Sequence, residues 1–197
     1  MRFAQGSGWR MGMDASWPLS VALFVRDALA LPATRPFFVP PVVPQIPEQI
    51  AVRGPLTDVV LADEWAHWFA DLVRTRSGIR SLDELLLEER HPDFQASVQR
   101  CFLAAQSAAE LFKVAFHDEL MLSGKKHSTI PSALVRTLEK ELGHRAAPFE
   151  LEVRVVPVQG EWLHRPFPKL VLMSNTVQFS PDAQYRLLGP VLRELAR

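Results

Sequence analysis

Acidic and histidine side chains at short spacings are the residues of this sequence that could bind a metal. Glu64 with His67, and Glu88 with His91, have the Glu-x-x-His spacing that supplies ligands in di-iron helical bundles. At about 100° per residue, His67 lies on the side of its helix opposite the apolar stripe, and His91 falls where a helix begins. Because bundle ligands must project inward, we interpret both pairs as solvated surface and expect no metal and no cofactor.

Nucleophilic catalysis has weaker support in the sequence. Cys101, the only cysteine, lies within an apolar helical stripe, where burial makes a thiol less reactive, and no Gly-x-Ser-x-Gly elbow is present. Ser174, Asn175 and Thr176 follow an apolar strand and, with His164, could line a site, although we favour a kink or bulge of the strand. We therefore expect a protein that is not an enzyme. An enzyme with an unrecognised site near the C-terminal strands stays an alternative.

A loop rich in cations precedes one predicted helix. Lys125, Lys126 and His127 are candidates for binding an anion or nucleic acid, because helix N-termini attract anions. Residues 115–142 also resemble a helix-turn-helix element, but they depart from it at Leu120, where a small residue is usual, and at Lys125, where an apolar residue is usual. The formal net charge of zero disfavours nucleic acid as a partner. A DNA-binding regulator is the second alternative.

The segment from Pro32 to Pro47 is the most distinctive feature of the chain. Its six prolines in 16 residues exclude a helix and favour an extended path, and apolar residues are interleaved with them. Phe37 and Phe38 in this segment, and Trp162 beside a predicted turn, are candidate partner-binding residues because aromatic side chains often anchor interfaces. We expect the proline-rich arm to pack on its own domain, on a protein partner or on a second copy of the chain.

Helical periodicity predicts the elements that must position these residues. The longest predicted helix runs from Phe94 to about Leu122 and has apolar residues on more than one side, which is typical of a buried, central helix. The other predicted helices are Pro18–Leu31, Asp58–Arg76 with Thr57 as its cap, Ser81–Glu89, Pro131–Leu142 and a final helix that begins near Ser180.

The period changes from helical to two after Gly143. Phe149 to Val155 alternates apolar and polar residues, which predicts a strand with one wet face, and Lys169 to Phe179 predicts a second strand antiparallel to it. The fold class is therefore α+β: mainly helical, with a long central helix and a small antiparallel sheet of about two to three strands near the C-terminus, followed by a final helix. We expect an N-terminal extension over residues 1–56 and a single domain over residues 57–197.

Composition limits the class of protein. Hydrophobic residues make up 48% of the 197 residues and charged residues 22%, which is ordinary for a globular chain with a sizeable core. No apolar run is long enough to span a bilayer, and Arg26 and Asp27 interrupt the only run that resembles a signal peptide. We therefore expect a cytoplasmic protein without a membrane partner. Its predicted function is non-catalytic protein–protein interaction, as an adaptor or as an assembly or regulatory subunit of a complex. The expected partner is another protein or further copies of the same chain.

Overall fold

A computed structural model describes residues 2–5, 8–32, 37–48, 53–75, 90–122 and 130–197. The chain folds into two compact units. The sheet unit contains Met1–Ala15, Ala115–Val156 and Gly160–Arg197, and the helical unit contains Ser16–Val114 and Pro157–Gln159. The predicted division into an extension over residues 1–56 and a domain over residues 57–197 stays a prediction.

Along the described residues, strands and helices occur in separate blocks. In chain order they are β1 Arg2–Gln5, β2 Trp9–Ala15, α1 Trp17–Ala28, α2 Asp58–Arg74, α3 Pro92–Leu122, α4 Ile130–Leu142, β3 Phe149–Val156, β4 Leu163–Phe167, β5 Leu170–Ser174, α5 Asn175–Phe179, α6 Pro181–Leu187 and α7 Gly189–Leu195. The α+β class, the long helix and the helical C-terminus are confirmed. The predicted helix over Ser81–Glu89 lies outside the described residues.

The sheet unit is built on five strands in the order β1-β2-β3-β5-β4. Strand β3 pairs in parallel with β2 and with β5, whereas β1 and β4 lie antiparallel at the two edges. The sheet is therefore mixed and larger than predicted, and the predicted antiparallel pairing of the two C-terminal strands is wrong. A parallel partner for β3 comes from β2, near the start of the chain, which no local pattern indicates.

Helix α1 is the most buried helix of the helical unit. Of its 12 residues, all except Asp27 are buried. Helix α2 lies against it, and the Trp65 indole N–H donates to the Ala22 carbonyl oxygen at 2.7 Å. The apolar stripe of α2 is buried as its spacing predicts, and the cap is Thr57, whose hydroxyl accepts from the Val60 amide.

Helix α3 buries only one of its two apolar faces. The predicted main stripe is buried at Phe94, Val98, Cys101, Ala105, Ala109, Phe112, Phe116 and Leu120. Leu103, Leu111, Val114 and Met121, for which the sequence predicts burial, are instead 55–75% exposed. Periodicity identifies the apolar positions of a helix but cannot say how many neighbours cover them. Among the residues described, no helix is both long and apolar enough to cross a membrane.

Candidate functional site

The proline segment is held to helix α1 by two adjacent charged residues. Arg26 is only 2% exposed, and its guanidinium donates to the carbonyl oxygens of Val39 and Pro40, both at 2.7 Å. The Asp27 carboxylate accepts from Arg26 Nε at 2.6 Å and from the Val42 amide at 2.7 Å. Because prolines leave few backbone donors in this segment, its carbonyl oxygens need a donor from elsewhere, and the buried arginine supplies it.

Backbone pairing fixes the same segment on its other side. The Val43 amide donates to the Pro157 carbonyl at 2.8 Å, and the Gln159 amide donates to the Pro41 carbonyl at 2.9 Å. Val42 and Val158 form an antiparallel bridge between these two bonds. Between Pro40 and Pro44, the two residues that have a backbone amide are Val42 and Val43, and both amides are hydrogen-bonded. This part of the arm is therefore a short, fixed, strand-like piece of the helical unit.

A groove opens between the end of α1 and the continuing arm. Its volume is about 480 Å³, and it is lined by Asp27, Ala30, Leu31, Pro41, Gln45, Ile46 and Glu48. Leu31 is buried, Asp27 and Ile46 are half-buried and Glu48 is exposed, so the lining combines apolar and acidic groups. The size falls within the range of about 300–1,000 Å³ that is usual for ligand pockets.

The helix end that forms one wall has an unusual backbone. Ala30 follows α1 with φ of 47°, in the left-handed region that usually favours glycine. The Leu31 amide donates to the Arg26 carbonyl at 2.9 Å and the Ala30 amide to the Asp27 carbonyl at 3.0 Å, which closes the helix. Arg53 then donates to the Leu29 and Ala30 carbonyl oxygens, at 2.7 and 3.1 Å. These bonds hold the Ala30 methyl group and the Leu31 side chain on the groove.

The two phenylalanines proposed as partner-binding residues differ in position. Phe37 is buried, and its ring packs edge-on against Phe69 with centroids 5.1 Å apart. Phe38 is 57% exposed and has a positive φ of 42°. Of this pair, Phe38 therefore presents a ring to solvent, whereas Phe37 anchors the segment in the core. Their role in binding a partner stays a prediction.

Trp162, the third candidate, lies in the sheet unit. Its ring stacks on His164 with centroids 6.1 Å apart, and both side chains are half-buried. Burial lowers the pKa of His164, so its neutral form is favoured. Ser174 is fully buried, and its hydroxyl accepts from the amides of Trp162 and Val177, at 3.2 and 3.4 Å. Ser174 thus caps helix α5, so the strand ends here and the predicted kink or bulge of the strand is wrong; the Ser174 hydroxyl oxygen is engaged in the cap.

Strand register brings polar residues together on one face of the sheet. Asp14 of β2 pairs with Arg154 of β3, which pairs with Leu172 of β5, which pairs with His164 of β4. Residues directly opposite in a sheet share a face, so the row contains Asp14, Arg154 and His164. Arg154 is buried and donates to Glu152 at 2.7 Å. The sequence could not indicate this row, because it depends on the parallel pairing with β2.

Among the described residues, the candidate metal and nucleophilic side chains do not form a centre. His67 is exposed, as its helical position predicts, and the His91 ring nitrogen accepts from the Asp93 amide at the start of α3. Within the described ranges, no three His, Cys, Asp or Glu side chains group as metal ligands, and Glu88 lies outside those ranges. Burial raises the pKa of the Cys101 thiol to about 11, so the reactive thiolate is disfavoured.

The cationic loop is not among the residues that the structure describes. Lys125, Lys126 and His127 fall outside the described ranges, and so does the turn of the helix-turn-helix resemblance over residues 115–142. The flanking helices α3 and α4 are described, ending at Leu122 and beginning at Ile130. The anion-binding and DNA-binding hypotheses stay predictions, and their test is salt-dependent binding of duplex DNA that is lost when both lysines are changed to glutamate.

Sequence reasoning missed the two residues that organise the groove. Arg26 and Asp27 stand out in the sequence as a charged pair within an otherwise apolar segment, next to a run of prolines. That combination is a usable signal, because a buried charge needs partners and a proline run supplies unpaired carbonyl oxygens.

Comparisons with protein families, with curated proteins and with solved structures find no match to this chain.

Proposed function

We propose that this protein is a non-catalytic interaction module, an adaptor or an assembly or regulatory subunit of a cytoplasmic complex. It binds a protein partner through the proline segment and the groove beside it. The observation that carries the proposal is the way the segment is held: Arg26, Asp27 and the bridge to Val158 fix the chain from Val39 to Val42 while the neighbouring Phe38 stays 57% exposed.

Rigidity is the physical reason that this arrangement suits binding. A flexible arm loses conformational entropy when it docks, whereas a segment that is already ordered loses much less. Prolines reduce that loss further because they fix φ in the free chain. The exposed Leu103, Leu111 and Val114 of α3 also support an interaction protein, since exposed apolar groups clustered on one element are typical of association surfaces.

The test must remove the exposed ring and keep the backbone. Deleting the whole segment would remove the two carbonyl acceptors of the buried Arg26 and would disturb the fold. Phe38→Asn is a better change, because asparagine tolerates a positive φ. Phe167→Asn is a matched control, since Phe167 is an exposed phenylalanine of strand β4 in the other unit.

The measurement is recovery of partners by the tagged full chain from an extract of its native cells, together with its mass by light scattering. We expect Phe38→Asn to reduce the recovery of a partner, or the self-assembly, by about ten-fold or more, the scale of one buried aromatic anchor. Phe167→Asn is expected to leave both unchanged. Equal recovery and equal mass for wild type and Phe38→Asn would contradict the proposal.

A small-molecule site on the sheet is the second candidate, and it corresponds to the enzyme alternative. It is favoured by the row of Asp14, Arg154 and His164 near the C-terminal ends of parallel strands, where ligands of open sheets often bind. A thermal-stability screen against a metabolite set tests it. A compound that stabilises the wild-type protein and not His164→Gln would support this candidate, and a screen without any such compound would oppose it.

A further inference from the structure

The lining of the groove points to the chemistry of its occupant. We propose that the groove binds a peptide segment of a protein partner in which an apolar residue lies next to a lysine or arginine. This inference rests on the proposed function and makes it specific. It concerns the described residues of the helical unit alone.

The apolar residues of the lining offer a surface to an apolar side chain. Ala30, Leu31, Pro41 and Ile46 contribute carbon to its surface, and Leu31 is only 6% exposed. A volume of about 480 Å³ accommodates a short stretch of side chains and not a folded element. Burial of an aliphatic side chain against such a surface is the main favourable contribution to binding.

The charge of the rim selects a cation. Of the seven described residues that line the groove, Asp27 and Glu48 are acidic and none is basic. The Asp27 charge is already compensated by Arg26, which lies within 2.6 Å. Glu48 is exposed and forms no ion pair with any residue that the structure describes. Within the described lining, its carboxylate is therefore the uncompensated charge, and a lysine or arginine beside the apolar anchor would complement it.

The groove walls favour an extended peptide over an isolated amine. One wall is the chain from Pro41 to Glu48, which bends at Val43 and Pro44, and Pro44 and Pro47 stiffen it on both sides of Gln45. Gln45 is exposed on this wall, and its side-chain carboxamide offers both a donor and an acceptor to a peptide backbone. The helix-end carbonyls of Leu29 and Ala30 are bonded by Arg53, so they do not compete for the cation.

Two short, fluorescently labelled peptides test the proposal directly. They share a leucine and all other residues, and differ only in carrying lysine or glutamate beside that leucine. Binding to the full chain is measured by fluorescence anisotropy at low and at high salt. Because one exposed charge pair contributes at most about 1 kcal/mol, we expect the wild type to prefer the lysine peptide about three- to five-fold at low salt. High salt should reduce the preference.

Three variants locate the site. Glu48→Lys should reverse the preference toward the glutamate peptide, whereas Glu150→Lys, at an exposed glutamate of strand β3, should leave it unchanged. Ile46→Ser should weaken both peptides about ten-fold, because it removes part of the apolar surface. Equal affinity of the wild type for the two peptides, no binding of either, or a preference that survives Glu48→Lys would overturn the inference.

The outcome for the proposed function is read separately. If Phe38→Asn reduces partner recovery while Glu48→Lys and Ile46→Ser do not, the protein is an interaction module that does not use the groove in this way. If no partner or self-assembly depends on Phe38, the proposed function itself fails, whatever the peptides do.

Discussion

Changing Arg26 to methionine is the most informative perturbation of this structure. Methionine keeps an unbranched apolar stem of similar length but removes the guanidinium. The change leaves the Val39 and Pro40 carbonyl oxygens without their donor, and leaves the part-buried Asp27 carboxylate without its counter-charge. It also removes the cation that lies 5.6 Å from the centre of the Trp65 ring.

The expected loss is large because the charge is buried. Removing one partner of a buried ion pair typically costs about 3–5 kcal/mol, mostly because the remaining charge and acceptors stay unpaired. Stabilities of whole domains are about 5–15 kcal/mol, so Arg26→Met should remove a substantial share. The exposed pair of Arg74 with Asp71, in which the arginine side chain is 63% exposed, provides the control. Arg74→Met should cost less than about 0.5 kcal/mol.

Urea unfolding measures this difference. Tryptophan fluorescence reports on both units, through Trp17, Trp65 and Trp68 of the helical unit and Trp9 and Trp162 of the sheet unit, and far-ultraviolet circular dichroism follows the backbone. Because the chain forms two compact units, a single free energy of unfolding is derived only if the two signals coincide. A loss for Arg26→Met below about 1 kcal/mol would refute the view that this arginine holds the proline segment.

Three further outcomes are expected. Ala30→Gly should raise the free energy of unfolding by up to about 1 kcal/mol in the same urea assay, because glycine adopts the positive φ of 47° without strain; a destabilised variant would contradict this. Cys101, whose pKa is raised by burial from 9.0 to about 11, should react with a thiol reagent at mildly alkaline pH only after unfolding, and rapid labelling of the native protein would be inconsistent with its position. Tyr185, the only tyrosine, donates to Glu141 at 2.6 Å, and this bond raises its pKa above the ordinary value of 10.0. Tyrosinate absorbance should therefore appear at lower pH in Glu141→Gln than in the wild type. Because the pKa is raised in the folded state, the stability from the protonated hydroxyl is lost as pH rises through that pKa.

Helices were the part of the fold that the sequence predicted best. The apolar positions of α2, including Trp65 and Trp68, are buried, and α3 begins and ends within two residues of its predicted bounds. The reason is local: side chains three and four residues apart share a helix face, so a stripe in the sequence is a stripe in space. The caps follow the same logic, and Thr57 accepts from an amide three residues later.

The segment from Leu170 to Phe179 shows where local patterns are ambiguous. Its apolar residues predict one strand up to Phe179, but the strand ends at Ser174 and a short helix follows. A short apolar run fits either structure, and the Ser174 hydroxyl, which accepts from the Val177 amide, decides for the helix. Tertiary packing reinforces the choice, since the Phe179 ring packs against Phe116 with centroids 5.7 Å apart.

The candidate site was less predictable than the fold. The proline segment could be singled out by composition. Its attachment, however, depends on Arg26 of helix α1, which donates to the carbonyl oxygen of Val39, 13 residues later in the chain. Exposure separates Phe38 from Phe37, although the two are chemically identical and adjacent. No pattern in the sequence distinguishes them, because burial depends on Phe69 of another helix.

The sequence by itself determined the local elements: the helix stripes, their caps and the buried, unreactive position of Cys101. Each depends on residues a few positions apart, whose relative geometry is set by backbone dihedrals. Tertiary structure alone decided the parallel pairing of β2 with β3, the exposure of one face of α3 and the groove beside α1. These features join residues far apart in the chain. They form only where hydrogen bonding and burial across the whole fold offset the entropy of bringing distant segments together.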